Sequence, residues 1–232
     1  MVSACSLIIE VTRRCNMRCD HCLRGDAEDL DISNEVLDRI LDSSLVEGPH
    51  IVFTGGEPTL NIRAIQYFIE GLKRRGARID GFYIKSNGKD ESIELMLASL
   101  ELYALSDNKE MCALEVSGDQ YHEGYSPELY KGLAFYRFDE RDISDKALIN
   151  DGKSFEYGIG SRSEYPADFI FDEYDSEDTC VEELYISSNG NVVGSCNMSF
   201  ERVDEESLGN ILTEDLEDII LREYTRALEK VA

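Results

Sequence analysis

Short apolar runs alternate along the chain with longer stretches whose apolar residues recur every three or four positions. Ser6–Thr12 is apolar and β-branched and stops at Arg13-Arg14. A continuous apolar run of that length predicts a strand buried on both faces, the kind that builds parallel sheets. His50–Thr54, Gly81–Lys85 and Ala113–Ser117 predict three more strands. Helical patterns lie between them. Val36, Leu37, Ile40 and Leu41 follow Ser33, a candidate N-cap. Ile62, Ile65, Phe68, Ile69 and Leu72 share one face and run into Lys73-Arg74-Arg75-Gly76, a basic end with a glycine stop. Ile93, Met96, Leu97 and Leu100 give the third helix its expected packing face. Strands alternating with helices predict a parallel α/β sheet.

The second half is patterned less clearly. Ser126-Pro127 predicts the start of a helix carrying Leu129, Leu133 and Tyr136. Arg137 to Asp151 is highly charged, and Tyr157–Gly160 and Phe169–Phe171 are the candidate fifth and sixth strands. Leu184–Ser187 and Val192–Cys196 flank Ser188-Asn189-Gly190-Asn191, a strong hairpin signal. A helix from about Glu214 would pack through Leu216, Ile219, Ile220, Ala227, Leu228 and Val231.

Composition narrows the class. The chain has 232 residues, 42% of them hydrophobic, enough for one large α/β domain and a small appendage. With 48 acidic against 23 basic residues the formal net charge is −25, which disfavours nucleic acid and anionic membrane as partners and would suit a basic one. The start, Met1 to Ser6, has neither a charged lead nor an apolar core, so no signal peptide is expected, and no run approaches the ~18 apolar residues of a membrane span. Seven cysteines in an uneven pattern fit a reducing cytoplasm better than a disulfide framework.

Three of those cysteines, Cys15, Cys19 and Cys22, fall in eight residues directly after the first strand. A loop of that length can aim three thiolates at one point. Three ligands suit a [4Fe–4S] cluster with one iron left free, since Cys thiolate is the usual ligand of such clusters. His21 also allows a Cys3His zinc site, although zinc motifs usually pair two separated halves. Arg13, Arg14, Arg18 and Arg24 surround the loop and would favour thiolates. The second strand runs into Gly55-Gly56-Glu57-Pro58, the third into Ser86-Asn87-Gly88, and the fourth into Ser117-Gly118-Asp119. Glu115 and Ser117 share a face of that strand, and a carboxylate there needs a partner. His122 is expected to pair with an acidic neighbour or lie on the loop surface.

These motifs, in this order, resemble those of the radical SAM (S-adenosylmethionine) superfamily over residues 5 to about 125. The resemblance implies a partial (β/α)6 TIM-like barrel with a small C-terminal β-hairpin plus helix extension. It implies a [4Fe–4S] cluster on Cys15, Cys19 and Cys22, with SAM chelated to the free iron. Reduction would cleave SAM to a 5′-deoxyadenosyl radical that abstracts hydrogen from a substrate. Gly55, Gly56 and Glu57 would bind the methionine amino group, and His21, Ser86, Asn87, Ser117 and Asp119 would complete the SAM site. An external electron donor of flavodoxin or ferredoxin type is implied too. No catalytic acid or base is identified.

Residues 1–175 are expected to form the barrel and 176–232 the extension. Cys180 and Cys196 around the hairpin are similar to the opening of a SPASM or twitch domain. Gly190 stands six before Cys196 and no cysteine follows it, so the likeness implies a degenerate extension without iron; a disulfide or a two-cysteine site remains open. Cys5 and Cys112 are expected to be core residues. The extension points to a peptide substrate. A small molecule, a nucleotide or a glycyl-radical enzyme would be the alternatives, and outside catalysis an inactive iron–sulfur or zinc-binding module.

Overall fold

The computed structural model describes residues 2–122, 125, 127–140, 148–172 and 179–231. Strands β1 (Val2–Thr12), β2 (His50–Gly55), β3 (Gly81–Ser86), β4 (Ala113–Ser117) and β5 (Tyr136–Asp139) lie side by side in that order, every pair parallel. A two-residue strand, β6 (Phe171–Asp172), pairs antiparallel with β7 (Thr179–Ile186). β7 takes the other side of β1, again parallel, and β8 (Asn191–Val193) and β9 (Gly209–Asn210) extend the sheet antiparallel. Helices α1 (Asn34–Asp42), α2 (Ile62–Arg75) and α3 (Ile93–Leu105) follow β1, β2 and β3. Three further helices, α4 (Gly152–Glu156), α5 (Phe200–Glu205) and α6 (Leu216–Val231), belong to the second half. The sheet is open, with β5 at one end and β9 at the other. This is the α/β architecture of a partial barrel.

The apolar run of β1 is explained by its two neighbours. Leu7, Ile9 and Val11 enter the main core with α1 and α2, and Ile8 packs on the other face with Tyr185, Val193, Met198 and Val203. Each such side chain contributes about 1.5–3 kcal/mol by leaving water. Ser33 caps α1 by accepting from Val36 N, and Gly76 ends α2 at φ +65. The predicted hairpin forms, with Gly190 at φ +85 in its turn.

Several expectations need correction. α3 buries Leu95, Ala98, Ser99 and Leu102 and leaves Ile93, Leu97 and Leu100 exposed. The helix is apolar all round, so periodicity could not choose its face. Ser126 lies outside the described residues; after Pro127 there is only a 3-10 turn, Glu128–Tyr130, and Tyr136 opens β5. Tyr157–Gly160 is not a strand, because Gly158 turns the chain at φ +65 directly after α4. Phe171 does enter a strand, but an antiparallel one. Leu228 of α6 is exposed rather than packed. Cys112 is buried as expected, whereas Cys5 is exposed, its Sγ 3.5 Å from that of Cys180. The boundary drawn between residues 175 and 176 falls outside the described residues. Among the described residues no helix is long and apolar enough to cross a membrane.

Candidate active site

β1 delivers the cysteine loop to the middle of the sheet, at the carboxyl ends of the parallel strands, where α/β folds place their sites. The loop is laced to the end of β2 by backbone hydrogen bonds. Gly56 N donates to Thr12 O at 2.8 Å and Glu57 N to Arg14 O at 2.8 Å. A Cβ on Gly55 would stand 2.1 Å from Thr12 O, and one on Gly56 2.2 Å from Arg14 O. Gly55 also sits at φ +147, a region closed to most L side chains. The glycines are therefore required by the approach of the cysteine loop itself. Thr12 Oγ1 donates to Asp31 Oδ1 at 2.6 Å and accepts from Arg14 N at 3.1 Å, fixing the first turn of the loop.

Cys15, Cys19 and Cys22 are half-buried and line one cavity of about 460 Å3. Among the described residues no fourth cysteine lines it. Burial pushes the Cys19 thiol up to about 12, helped by the neighbouring Cys22, Cys15, Asp119 and Asp20; burial also raises Cys15. The expected arginine field is there in part, since Arg24 acts on Cys22 through its charge. Arg13 is committed to Glu10, Glu28 and Asp204, and Arg14 to Asp31 at 2.7 Å.

Glu57 stands differently from the expectation of a carboxylate at the cavity mouth. It is 1% exposed and does not line the cavity, whereas Gly55 and Gly56 do. Its Oε1 accepts from Thr59 N, Thr59 Oγ1 and Ser86 Oγ at 3.1, 2.8 and 2.9 Å, and its Oε2 from Asn87 N at 2.7 Å. Burial raises its pKa, and these bonds oppose the rise. Asn87 Nδ2 in turn donates to Asn16 Oδ1 at 2.7 Å, joining β3 to the cysteine loop. Ser86 and Asn87 both line the cavity.

The end of β4 forms the facing wall. Ser117, Asp119 and His122 line it. His122 Nδ1 lies 2.7 Å from Asp119 Oδ1, the acidic pairing expected for it, and Tyr121 N donates to the same oxygen at 2.9 Å. His21 stacks on Tyr121 with ring centroids 4.1 Å apart and meets His122 edge-on at 5.4 Å. Its Nδ1 is buried and has no hydrogen-bond partner among the described residues.

Sequence reasoning missed part of the wall. Lys85 Nζ donates to Glu115 Oε1 at 2.9 Å and to Asp139 Oδ2 at 3.2 Å, and Tyr83 OH donates to Glu115 at 2.6 Å. Glu115 thus has the partners its burial demands. Lys85 and Asp139 line the cavity with Leu148, Ile149 and Arg162. Two-residue alternation from Tyr83 to Lys85 was the available signal for Lys85. Asp139 had none, since it falls in the charged stretch that begins at Arg137.

The fold and site define an α/β protein that gathers three thiols and a polar wall at the mouth of a parallel sheet. Residues 9–113 match the model of the Radical SAM superfamily, and this supports an enzyme whose substrate is open. BtrN in complex with AdoMet (SAM) and 2-DOIA is similar over 93% of this chain and 81% of that one, at 18% identity and TM-score 0.54. BtrN in an open conformation covers 93% and 79%, at 15% identity and TM-score 0.52. A histidine-tagged anSMEcpe with bound AdoMet covers 93% and 80%, at 13% identity and TM-score 0.50. At these identities the likeness is one of fold. No curated protein matches.

The residues present fit an iron–sulfur cluster and SAM. Three half-buried thiols share one cavity. The wall beside them carries an orphaned nitrogen on His21, which a bound ligand could satisfy.

Proposed function

We propose that the chain is a radical SAM enzyme that modifies a peptide. Cys15, Cys19 and Cys22 would hold a [4Fe–4S] cluster. When bound and reduced, the cluster and SAM supply a 5′-deoxyadenosyl radical that removes a hydrogen atom from the substrate. The observation that carries this reading is the convergence of three thiols, without a fourth among the described residues, on the cavity at the carboxyl ends of the central strands.

The chain's own residues then have definite tasks. The backbone of Gly55 and Gly56 borders the cavity and binds the methionine amino group. Glu57 holds that backbone and the Ser86-Asn87 turn in register from behind. His21 would belong to the SAM site, and Ser117 and Asp119 would contact ribose or carboxylate. Leu148 and Ile149 exclude water from the far wall. Electrons come from a flavodoxin or ferredoxin type of donor, and the place of action is the cytoplasm.

Residues 176–232 serve as a degenerate SPASM or twitch-like extension without iron. In support, Cys180 lies beside Cys5, while burial pushes the Cys196 thiol up to about 11 and its backbone N–H donates to Glu183 at 3.1 Å. The peptide reading rests on this extension and on the net charge of −25, which suits a basic substrate. A small polar molecule is the second reading. It is favoured by Lys85, Asp139 and Arg162, which give the cavity charged groups of both signs.

The test is anaerobic iron and sulfide analysis with EPR of the reduced protein, with and without SAM, followed by 5′-deoxyadenosine assay. About four irons per chain, a spectrum altered by SAM, and 5′-deoxyadenosine release are expected. Stoichiometric zinc without iron would overturn the reading.

A further inference from the structure

The cysteine loop has no regular structure of its own, so its shape must be imposed by what holds its ends. Both ends are held by an arginine, and both arginines are gripped by the C-terminal section. Arg13, two residues before Cys15, is 1% exposed. Its Nε donates to Glu10 Oε1 at 2.9 Å and its Nη1 to Glu28 Oε2 at 3.0 Å. Nη1 and Nη2 also fork onto the two oxygens of Asp204 in α5, at 2.7 and 2.8 Å. Arg24, two residues after Cys22, donates from Nη1 to Met198 O at 2.8 Å.

One ring serves both arginines. The Arg13 guanidinium carbon lies 4.8 Å from the centroid of Phe200, the first residue of α5, and that of Arg24 lies 5.9 Å from it. Arg24 also covers Tyr185 at 5.0 Å, and Phe200 N donates to Arg24 O at 3.1 Å. Glu10 closes the set from below. It accepts from Tyr185 OH, and from Ser188 N at 2.9 Å. A buried guanidinium is tolerated only with such partners, and a forked carboxylate fixes its plane as well as its charge.

We propose that Asp204 and Phe200 are positioning residues for the thiol loop, so that the C-terminal section clamps the segment Arg13–Arg24 and thereby sets the spacing of Cys15, Cys19 and Cys22. The inference rests on the reading that these three thiols hold a cluster. It gives the extension a task that needs no iron of its own. Asp204 acts through Arg13 and Phe200 through both arginines, and Phe200 also borders a smaller cavity that the three thiols line.

The variants are Asp204→Asn, which keeps the shape and removes the charge, Phe200→Leu, which removes the ring, and Asp204→Glu as the conservative rescue. Two readouts are taken on the full chain. The first is the rate at which a ferrous chelator strips iron from the anaerobically reconstituted protein. Partners one bond removed from a metal ligand typically change affinity 10–100-fold, so loss about ten-fold faster is expected in Asp204→Asn and Phe200→Leu, and near-normal loss in Asp204→Glu. The second is hydrogen exchange in the cluster-free protein, expected to quicken within residues 13–25 and not in β2 or β3. Unchanged iron loss together with unchanged exchange would overturn the proposal. So would exchange that rises through the whole sheet with the loop no faster than the core, which would mark general support of the fold. If the wild-type protein takes up no iron, the cluster reading fails, and exchange alone still decides whether the clamp exists.

Discussion

The carboxylate of Glu57 accepts the backbone N–H of Asn87 at 2.7 Å, tying the end of β2 to the end of β3 beneath the cavity. Three further donors meet the same carboxylate, two from Thr59 and one from Ser86. Glu57→Gln should therefore do more than remove a charge. It sets an amide NH2 against a group of N–H and O–H donors and leaves at least one of them buried without an acceptor. The expected cost is about 1–3 kcal/mol, read as a lower urea midpoint at unchanged slope. An unchanged midpoint would show that the carboxylate is dispensable as a brace.

Gly56→Ala tests the lacing of the cysteine loop. Its Cβ would fall 2.2 Å from Arg14 O, a contact with backbone that no rotamer can relieve. The bond from Glu57 N to Arg14 O must then stretch or break. The expected outcome is a protein that keeps its sheet, by far-ultraviolet circular dichroism, and takes up less than about half the wild-type iron on reconstitution, in line with the effect of groups that orient metal ligands. Full iron content would mean that the loop can re-form without that lacing.

How much of this was legible in the chain can be traced residue by residue. The four parallel strands were plain because each is a short apolar run between turns or helical stretches, and Cys15, Cys19, Cys22, Gly55 and Gly56 were plain because they lie at or just after the ends of those strands. The role of Glu57 was half legible. Its place after Gly-Gly is a sequence fact, but its turning inward to Ser86 and Asn87 depends on two strands separated by a helix. α3 was misphased because nearly every position is apolar. The partners of Arg13 could not be read at all, since Asp204 is 191 residues away and carries no motif.

The cysteines of the hairpin give a third test. Cys180 Sγ stands 3.5 Å from Cys5 Sγ, on neighbouring parallel strands, and Cys196 bonds through its backbone to Glu183. The pair Cys180→Ala/Cys196→Ala should leave iron content and the SAM-induced EPR change as in the wild type. Iron well above four per chain in the wild type, falling in the double variant, would place a second cluster in the extension. Brief alkylation of the native protein should also modify Cys5 far ahead of buried Cys112, as peptide mapping would report.

The forked pair between Arg13 and Asp204 has a pH signature. Partial burial alone would raise the Asp204 pKa, but the bonds from Arg13, Asn189 and Asn191 outweigh it and hold the carboxyl below its ordinary 3.8. A carboxyl whose folded pKa is depressed contributes stability in full above its unfolded value, and loses it as pH falls through the folded one. The stability difference between wild type and Asp204→Asn should therefore be constant from pH 7 down to about pH 5, and shrink as pH falls below 3.8. Urea unfolding of both proteins across that range measures it, and taking the difference cancels the other carboxyls that titrate there. A difference that persists unchanged to about pH 2 would show that the ionised form of Asp204 is not what Arg13 requires, and that shape alone holds the end of the loop.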